Sequence, residues 1–206
     1  MPSALILMAD GTEEMEFTIP YDTFVRAGIS CTSAFVPAPD TDGSEPHAVS
    51  PPFCKGSRGI NIQPDTYLEK HKCGPEHFDL LVIPGGAKGA ETLSQSPVVQ
   101  ELVRDYLDHD KFVGMICAGS LAALTSKLPK QQLTSHPSVR AQLENDFEYS
   151  EDSVVVSGKL VTRSLHSSRG PGTAFPFAFT LVELLCGTDK RQEVRSPMVF
   201  PLSTPF

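Results

Sequence analysis

Three features of the 206-residue sequence predict an α/β sandwich with a mostly parallel central sheet. Short apolar runs alternate with stretches whose apolar residues recur at helical spacing. The runs themselves are continuous, as expected of parallel strands covered on both faces. Residues able to do chemistry stand just past their C-terminal ends, where open α/β sheets place ligands. The whole chain, 1–206, reads as a single domain, and its length is enough for a substantial core.

Residues 4–8 (ALILM) are the first strand. Phe17, Tyr21 and Phe24 then recur at helical spacing, with Gly28 to close the helix and Pro20 in its first turn or at a kink. Residues 31–36 read as the second strand. From 37 to 57 the composition shifts to Pro, Gly, Asp and Ser, which predicts a long exposed loop, and 59–62 a short strand after it. His71, Cys73 and His77 fall within 68–77, but their spacing matches no usual zinc pattern; a solvated turn and no metal are expected.

Residues 78–84 (FDLLVIP) are a buried strand ending in Gly85-Gly86. Ser96 and Pro97 read as the cap and first residue of a helix carrying Val99, Leu102, Val103 and Tyr106. Residues 112–116 are a strand and 121–124 begin a helix. A connection over 128–135 leads to His136-Pro137, and 139–143 is a short helix. Residues 154–156 and 160–162 form a hairpin about Ser157-Gly158. A turn over 169–173 caps a long apolar helix, 174–186, stopped by Gly187.

Hydrophobic residues make up 40% of the chain and charged ones 20%, ordinary values for a globular protein. The net charge of -8 argues against a nucleic-acid partner, which needs a basic face. No window approaches a membrane-spanning run, and no charged leader precedes the first strand. Five widely spaced cysteines without a C-x-x-C pair suit a reduced compartment. The cytoplasm is therefore expected, with the nucleus as an alternative.

Cys117 occupies the tight corner between the 112–116 strand and the helix that follows. Such a corner exposes its side chain at a helix N-terminus, where unpaired N–H groups favour a thiolate, in the geometry of a nucleophile elbow. The alternative is an inert core cysteine, because free cysteine is often buried. The acidic residues Glu13, Glu14 and Glu16 and the pair Gly85-Gly86 also stand at strand ends. Glu16 beside Cys117 would keep a proton by like-charge repulsion and donate a hydrogen bond to sulfur. Each glutamate could equally be an ordinary acidic residue of a helix first turn. Gly85-Gly86 and the N–H of Ala118 are candidate oxyanion donors, although a glycine pair after a strand is commonly just a turn; His136 is a candidate base, although a lone histidine before proline is more often structural.

The sequence resembles the DJ-1/PfpI family through A9-DGTEEME-16, P84-GG-86 with Gly89-Ala90, I116-CAG-119, His136-Pro137 and S168-RGPGT-173, in that order. The resemblance implies a flavodoxin-like three-layer sandwich and a homodimer. It places the reactive cysteine on Cys117, a protonated glutamate on Glu16 and an active-site histidine on His136. The oxyanion donors fall on Gly86 and Ala118, and two arginines lining the site on Arg26 and Arg58. Three departures stand out: Ser120 in place of a proline, a longer 37–57 loop, and a short insertion around 163–167.

The resemblance implies a cofactor-free, glutathione-independent glyoxalase (glyoxalase III, of the D-lactate dehydratase type) acting on a small 2-oxoaldehyde such as methylglyoxal. An oxidation-sensing chaperone or a protein deglycase would use the same cysteine. A cysteine peptidase suits the residues less well, since a thiol protease needs a histidine placed to activate sulfur.

Overall fold

The computed structural model describes residues 1–38, 51–163, 173–201 and 204. In chain order its elements are β1 (Ser3–Met8), α1 (Glu14–Arg26), β2 (Ser30–Phe35), β3 (Cys54–Lys55), β4 (Asn61–Ile62), β5 (Thr66–Tyr67), α2 (Lys70–Cys73) and β6 (Leu80–Ile83). Then follow α3 (Ala87–Gln95), α4 (Pro97–Asp108), β7 (Phe112–Ile116), a 3-10 turn over Cys117–Ser120, α5 (Leu121–Thr125), β8 (Gln132–Leu133), α6 (Pro137–Leu143) and β9 (Glu148–Tyr149). The described chain closes with β10 (Val154–Ser157), β11 (Leu160–Arg163), α7 (Ala174–Cys186), α8 (Thr188–Arg195) and a last 3-10 turn.

Seven strands form one sheet in the order β10-β11-β7-β6-β1-β2-β5. All neighbours are parallel except β10 and β11, the expected hairpin. β1, β6 and β7 are almost wholly buried, which explains why their sequences are unbroken apolar runs. Helices α1 and α7 pack together, as do α3, α4 and α5, and β7 meets both α4 and α7. The sheet is thus the middle layer of three. From β1 the chain moves outward to β2 and later returns to place β6 on the other side. The C-terminal ends of β1 and β6 therefore flank a topological switch point, where such sheets form ligand crevices.

Local chemistry explains the boundaries. Ser96 Oγ accepts from the Val99 N–H and Pro97 opens α4, as its sequence predicts. Gly187, at φ 89°, ends α7. Pro20 lies inside α1 beyond its first turn, so the carbonyl of Glu16 has no N–H from Pro20 to accept.

β4 falls within the short strand expected over 59–62, whereas α3, α8, β3, β5 and the small sheet β8-β9 have no counterpart among the elements the sequence predicts. In α3 much of the buried face is small, with Gly89 and Ala90 beside Leu93, and α8 buries only Val194. Neither leaves a strong apolar period. The solvated turn expected over 68–77 is corrected: α2 lies there with Cys73 only 1% exposed, its carbonyl accepting from the buried Tyr106 hydroxyl at 2.8 Å. Most of the 37–57 loop, the 164–167 part of the insertion and most of the 169–173 turn lie outside the described residues.

Candidate active site

Cys117 follows β7 directly and has φ 63°, a left-handed conformation that non-glycine residues rarely adopt. Such backbone costs about 1–3 kcal/mol and is held by its surroundings. Here the end of β6 crosses the corner closely: a Cβ on Gly119 would stand 2.4 Å from the Ile83 carbonyl oxygen. On the other side, the carbonyl of Cys117 accepts the His136 N–H at 3.1 Å. Ser120, fully buried where the family pattern has proline, donates its hydroxyl to the Thr134 carbonyl at 3.0 Å. Thr134 N–H in turn donates to Thr162 Oγ1 on β11 at 3.0 Å. Polar tethers from three segments thus fix a corner that a proline ring would only stiffen.

The three glutamates before and within α1 have different roles. Glu13 caps the helix, its Oε2 accepting the Glu16 N–H at 2.9 Å. Glu14 accepts from the Arg58 N–H at 2.6 Å and the Ser57 hydroxyl at 3.0 Å, so it anchors the 57–60 turn. Burial would raise its carboxyl, but these donors and its own N–H hold it below the usual value. Glu16 is 1% exposed, hydrogen-bonds to the Cys117 side chain, and accepts the Gly85 N–H at its Oε2, 2.8 Å away. Burial pushes its carboxyl up to about 8, and the Glu13 charge adds to this.

Cys117 is 9% exposed. Burial pushes its thiol up, and the neighbouring Glu16 carboxyl adds to the rise when charged. The N–H groups of Ala118 and Gly86 both hydrogen-bond to sulfur and pull the other way. This direction is a correction to the expected helix-end activation. Only a four-residue 3-10 turn and the five-residue α5 follow the corner, too short for a strong dipole, and burial wins. The pair therefore avoids carrying two negative charges and keeps a proton between its two acids at neutral pH. Two backbone donors face the sulfur and offset part of the burial that opposes a charge there.

Gly85 makes this contact possible. A Cβ there would lie 2.5 Å from Glu16 Oε2 and 2.7 Å from the Cys117 Cβ. The sequence showed a glycine pair without revealing that the first glycine presents its N–H to the carboxyl.

The other expected site residues are distributed unequally. His136 touches Cys117 through its backbone, while its ring Nδ1 lies 2.7 Å from the Ser138 hydroxyl at the start of α6. Arg58 is exposed and lines a cavity of about 400 Å³ with Asp10, Lys55 and Lys88, at the ends of β1 and β6. Arg26 ends α1, ten residues and about 15 Å of helix beyond Glu16. It pairs there with Asp22 at 2.6 Å, so a single chain does not bring it to Cys117. Among the described residues, no three His, Cys, Asp or Glu side chains gather as a metal site, and no helix is long and apolar enough to cross a membrane.

The profile of the DJ-1/PfpI family matches residues 2–184. The chain belongs to the DJ-1/PfpI family. It is 36% identical over 206 residues to the Schizosaccharomyces pombe protein named glutathione-independent glyoxalase DJ-1, covering 98% of this chain and all of that relative. A family member of Caenorhabditis elegans, named glutathione-independent glyoxalase DJR-1.2, is 33% identical over 95% of both chains. The Danio rerio Parkinson disease protein 7 homolog is 38% identical over 95% of this chain and 96% of its own. Among solved structures, Schizosaccharomyces pombe DJ-1 superposes with a TM-score of 0.81 over 97% of this chain and all of that one. Drosophila melanogaster DJ-1beta, 35% identical, gives 0.82 over 97% and 98%. The sandwich is accordingly the flavodoxin-like fold of DJ-1 proteins.

Proposed function

We propose that this DJ-1/PfpI-family protein is a glutathione-independent glyoxalase that converts methylglyoxal to lactate. The observation that carries the proposal is the buried Glu16 carboxyl hydrogen-bonded to the Cys117 side chain, with Gly86 and Ala118 N–H groups on the same sulfur. The names of the fungal and nematode relatives agree with it.

In this mechanism Cys117 sulfur adds to the aldehyde carbon, C1, and the former carbonyl oxygen takes a proton to give a hemithioacetal. Glu16, as carboxylate after giving up its proton, removes the hydrogen from C1. An enediol forms, its negative oxygen facing the Gly86 and Ala118 N–H groups. Glu16 returns the proton to C2, so that C1 is oxidised and C2 reduced within one molecule. The resulting thioester is hydrolysed by water, with His136 assisting proton transfer, and lactate leaves as the thiol re-forms. No external oxidant, reductant or cofactor enters.

The direct test is lactate formation from methylglyoxal by purified protein in the absence of glutathione. Wild type is expected to turn over, with losses on the order of a thousandfold or more in Cys117→Ala and a hundredfold or more in Glu16→Gln. Full activity in either variant contradicts the mechanism. Deglycation is separated from it by following adducts after free aldehyde has been scavenged.

A second role at the same sulfur is supported by its donors. Two N–H groups and a protonated carboxyl suit a sulfinate, which peroxide would generate from the thiol by successive oxidation. Mass spectrometry of Cys117 after mild peroxide, beside a client-aggregation assay, distinguishes a sensor, which gains binding, from an enzyme, which loses turnover. The proposal also includes a single cooperative domain, a homodimer and a cytoplasmic setting; sedimentation at twice the chain mass is the check on the dimer.

A further inference from the structure

Arg163 is the last residue of β11 and is 4% exposed, yet its Nε and Nη1 have no hydrogen-bond partner among the described residues. Burial lowers its guanidinium to about 10, and burial is the sole cause of that shift. A buried guanidinium without a counter-charge is costly, and such groups are as a rule paired.

The register shows where this side chain points. Val161 pairs with Gly114 and Arg163 with Ile116 on the parallel neighbour β7. These positions share one face of the sheet, because side chains alternate with a period of two. At Gly114 that face is covered by α7, where an added Cβ would meet Phe177 at 2.9 Å and Leu181 at 3.1 Å. Leu184 and Leu185, near the end of α7, share a cavity with Pro2, Asp79 and Phe112 at the N-terminal ends of the strands. The helix therefore runs antiparallel to β7. From Phe177 back to Thr173 is about one helical turn, roughly 5–6 Å. From Gly114 to Ile116 is about 6.6 Å. Thr173 and the first turn of α7 thus arrive at the level of Arg163.

That end of α7 is also unsatisfied. Thr173 makes no side-chain cap, and its buried Oγ1 has no partner among the described residues. A guanidinium, a hydroxyl and the positive end of a thirteen-residue helix thus stand at one level of the sheet, and none of the described residues supplies the two side chains with an acceptor. We propose that Arg163, Thr173 and the N-terminal turn of α7 bind a small oxyanion, a carboxylate or phosphate group, beside the strand that delivers Cys117. Arg163 stands in register with Ile116, the residue immediately before Cys117. The site is separate from the Glu16 and Gly86 contacts, and it does not depend on the reaction proposed for them.

The test uses full-length protein in chloride buffer, titrated with inorganic phosphate in one arm and lactate in the other, by calorimetry and by thermal unfolding. Wild type is expected to bind at least one of them saturably and to rise in Tm as it does so. Binding to phosphate alone identifies a phosphate group, and to lactate a carboxylate. Affinity should fall by about tenfold or more in Arg163→Met and about threefold or more in Thr173→Val. The Arg163→Met variant should melt no lower than wild type without anion, because an unpaired buried charge has been removed, and its Tm should not respond to the anion. No saturable binding of either anion, or unchanged affinity in Arg163→Met, overturns the proposal. Should Arg163→Met fail to fold, unchanged affinity in both Arg163→Lys and Thr173→Val overturns it equally.

Discussion

Gly85 and Glu16 make the site at the residue scale. The N–H of Gly85 bonds the carboxyl, and its missing side chain leaves the space in which carboxyl and Cys117 meet. In Gly85→Ala the new methyl would lie 2.5 Å from Glu16 Oε2 and 2.7 Å from the Cys117 Cβ, so one of them must move. Turnover of methylglyoxal should fall by about tenfold to a hundredfold, since small misplacements of reacting groups are costly. Wild-type kcat/KM in this variant would show that the contact is not needed. A thiol on a strand-to-helix corner is a local signal, so Cys117 stood out in the sequence as a candidate, whereas Glu16 was singled out among the acidic residues through the family resemblance. No local pattern separates Glu16 from Glu13 and Glu14. All three acids suit a helix N-terminus, and only the tertiary contacts with Arg58, Ser57, Gly85 and Cys117 show which one turns inward. Arg163 carries no local signal for a related reason. A cation at the end of a strand looks solvated until the covering helix is placed.

At the scale of elements, the corner is held by what the neighbouring strands present to it. Thr162 of β11 accepts from Thr134, whose carbonyl takes the Ser120 hydroxyl. Thr162→Val keeps the shape and leaves the buried Thr134 N–H without its acceptor, which should cost about 1–3 kcal/mol of stability by denaturant titration. A change below a few tenths of a kcal/mol would mean the relay carries no weight. The elements legible in advance were those with one strong period: the continuous runs of β1, β6 and β7, the apolar stripe of α4 and the long apolar α7. Elements that bury little, such as α8, or pack through small residues, such as α3, were silent. The two-residue strands β8 and β9 exist only through their pairing with each other, which no local pattern encodes.

For the whole molecule, the buried acid links the site to folding. The Glu16 carboxyl rises from 4.5 to about 8 on folding. Below pH 4.5 both folded and unfolded chains hold this proton, and nothing is lost. Between 4.5 and 8 the unfolded chain releases it while the native chain retains it, so this group's contribution falls as pH rises, and above 8 the loss is complete. Each pH unit of that window corresponds to about 1.4 kcal/mol, a total on the order of a few kcal/mol. Glu16→Gln should remove the dependence, so that its stability relative to wild type improves steadily from pH 5 to pH 8. A constant difference across that range would show that Glu16 titrates like an exposed carboxyl. The parallel direction of the strands followed from the alternation of elements, but the order that sets β1, β6 and β7 side by side and brings Glu16, Gly85 and Cys117 together did not. The strained φ of Cys117 and the burial that governs both acids did not, because each depends on the packing of distant segments.

The central claim is that Glu16 keeps its proton beside Cys117 at neutral pH. The most direct measurement is a carbon-13 NMR titration of the Glu16 carboxyl from pH 3 to pH 10, assigned by comparison with Glu16→Gln. A midpoint near 8, shifting when Cys117 is replaced by alanine, is the expected result. A midpoint near 4.5, insensitive to Cys117, would contradict the account.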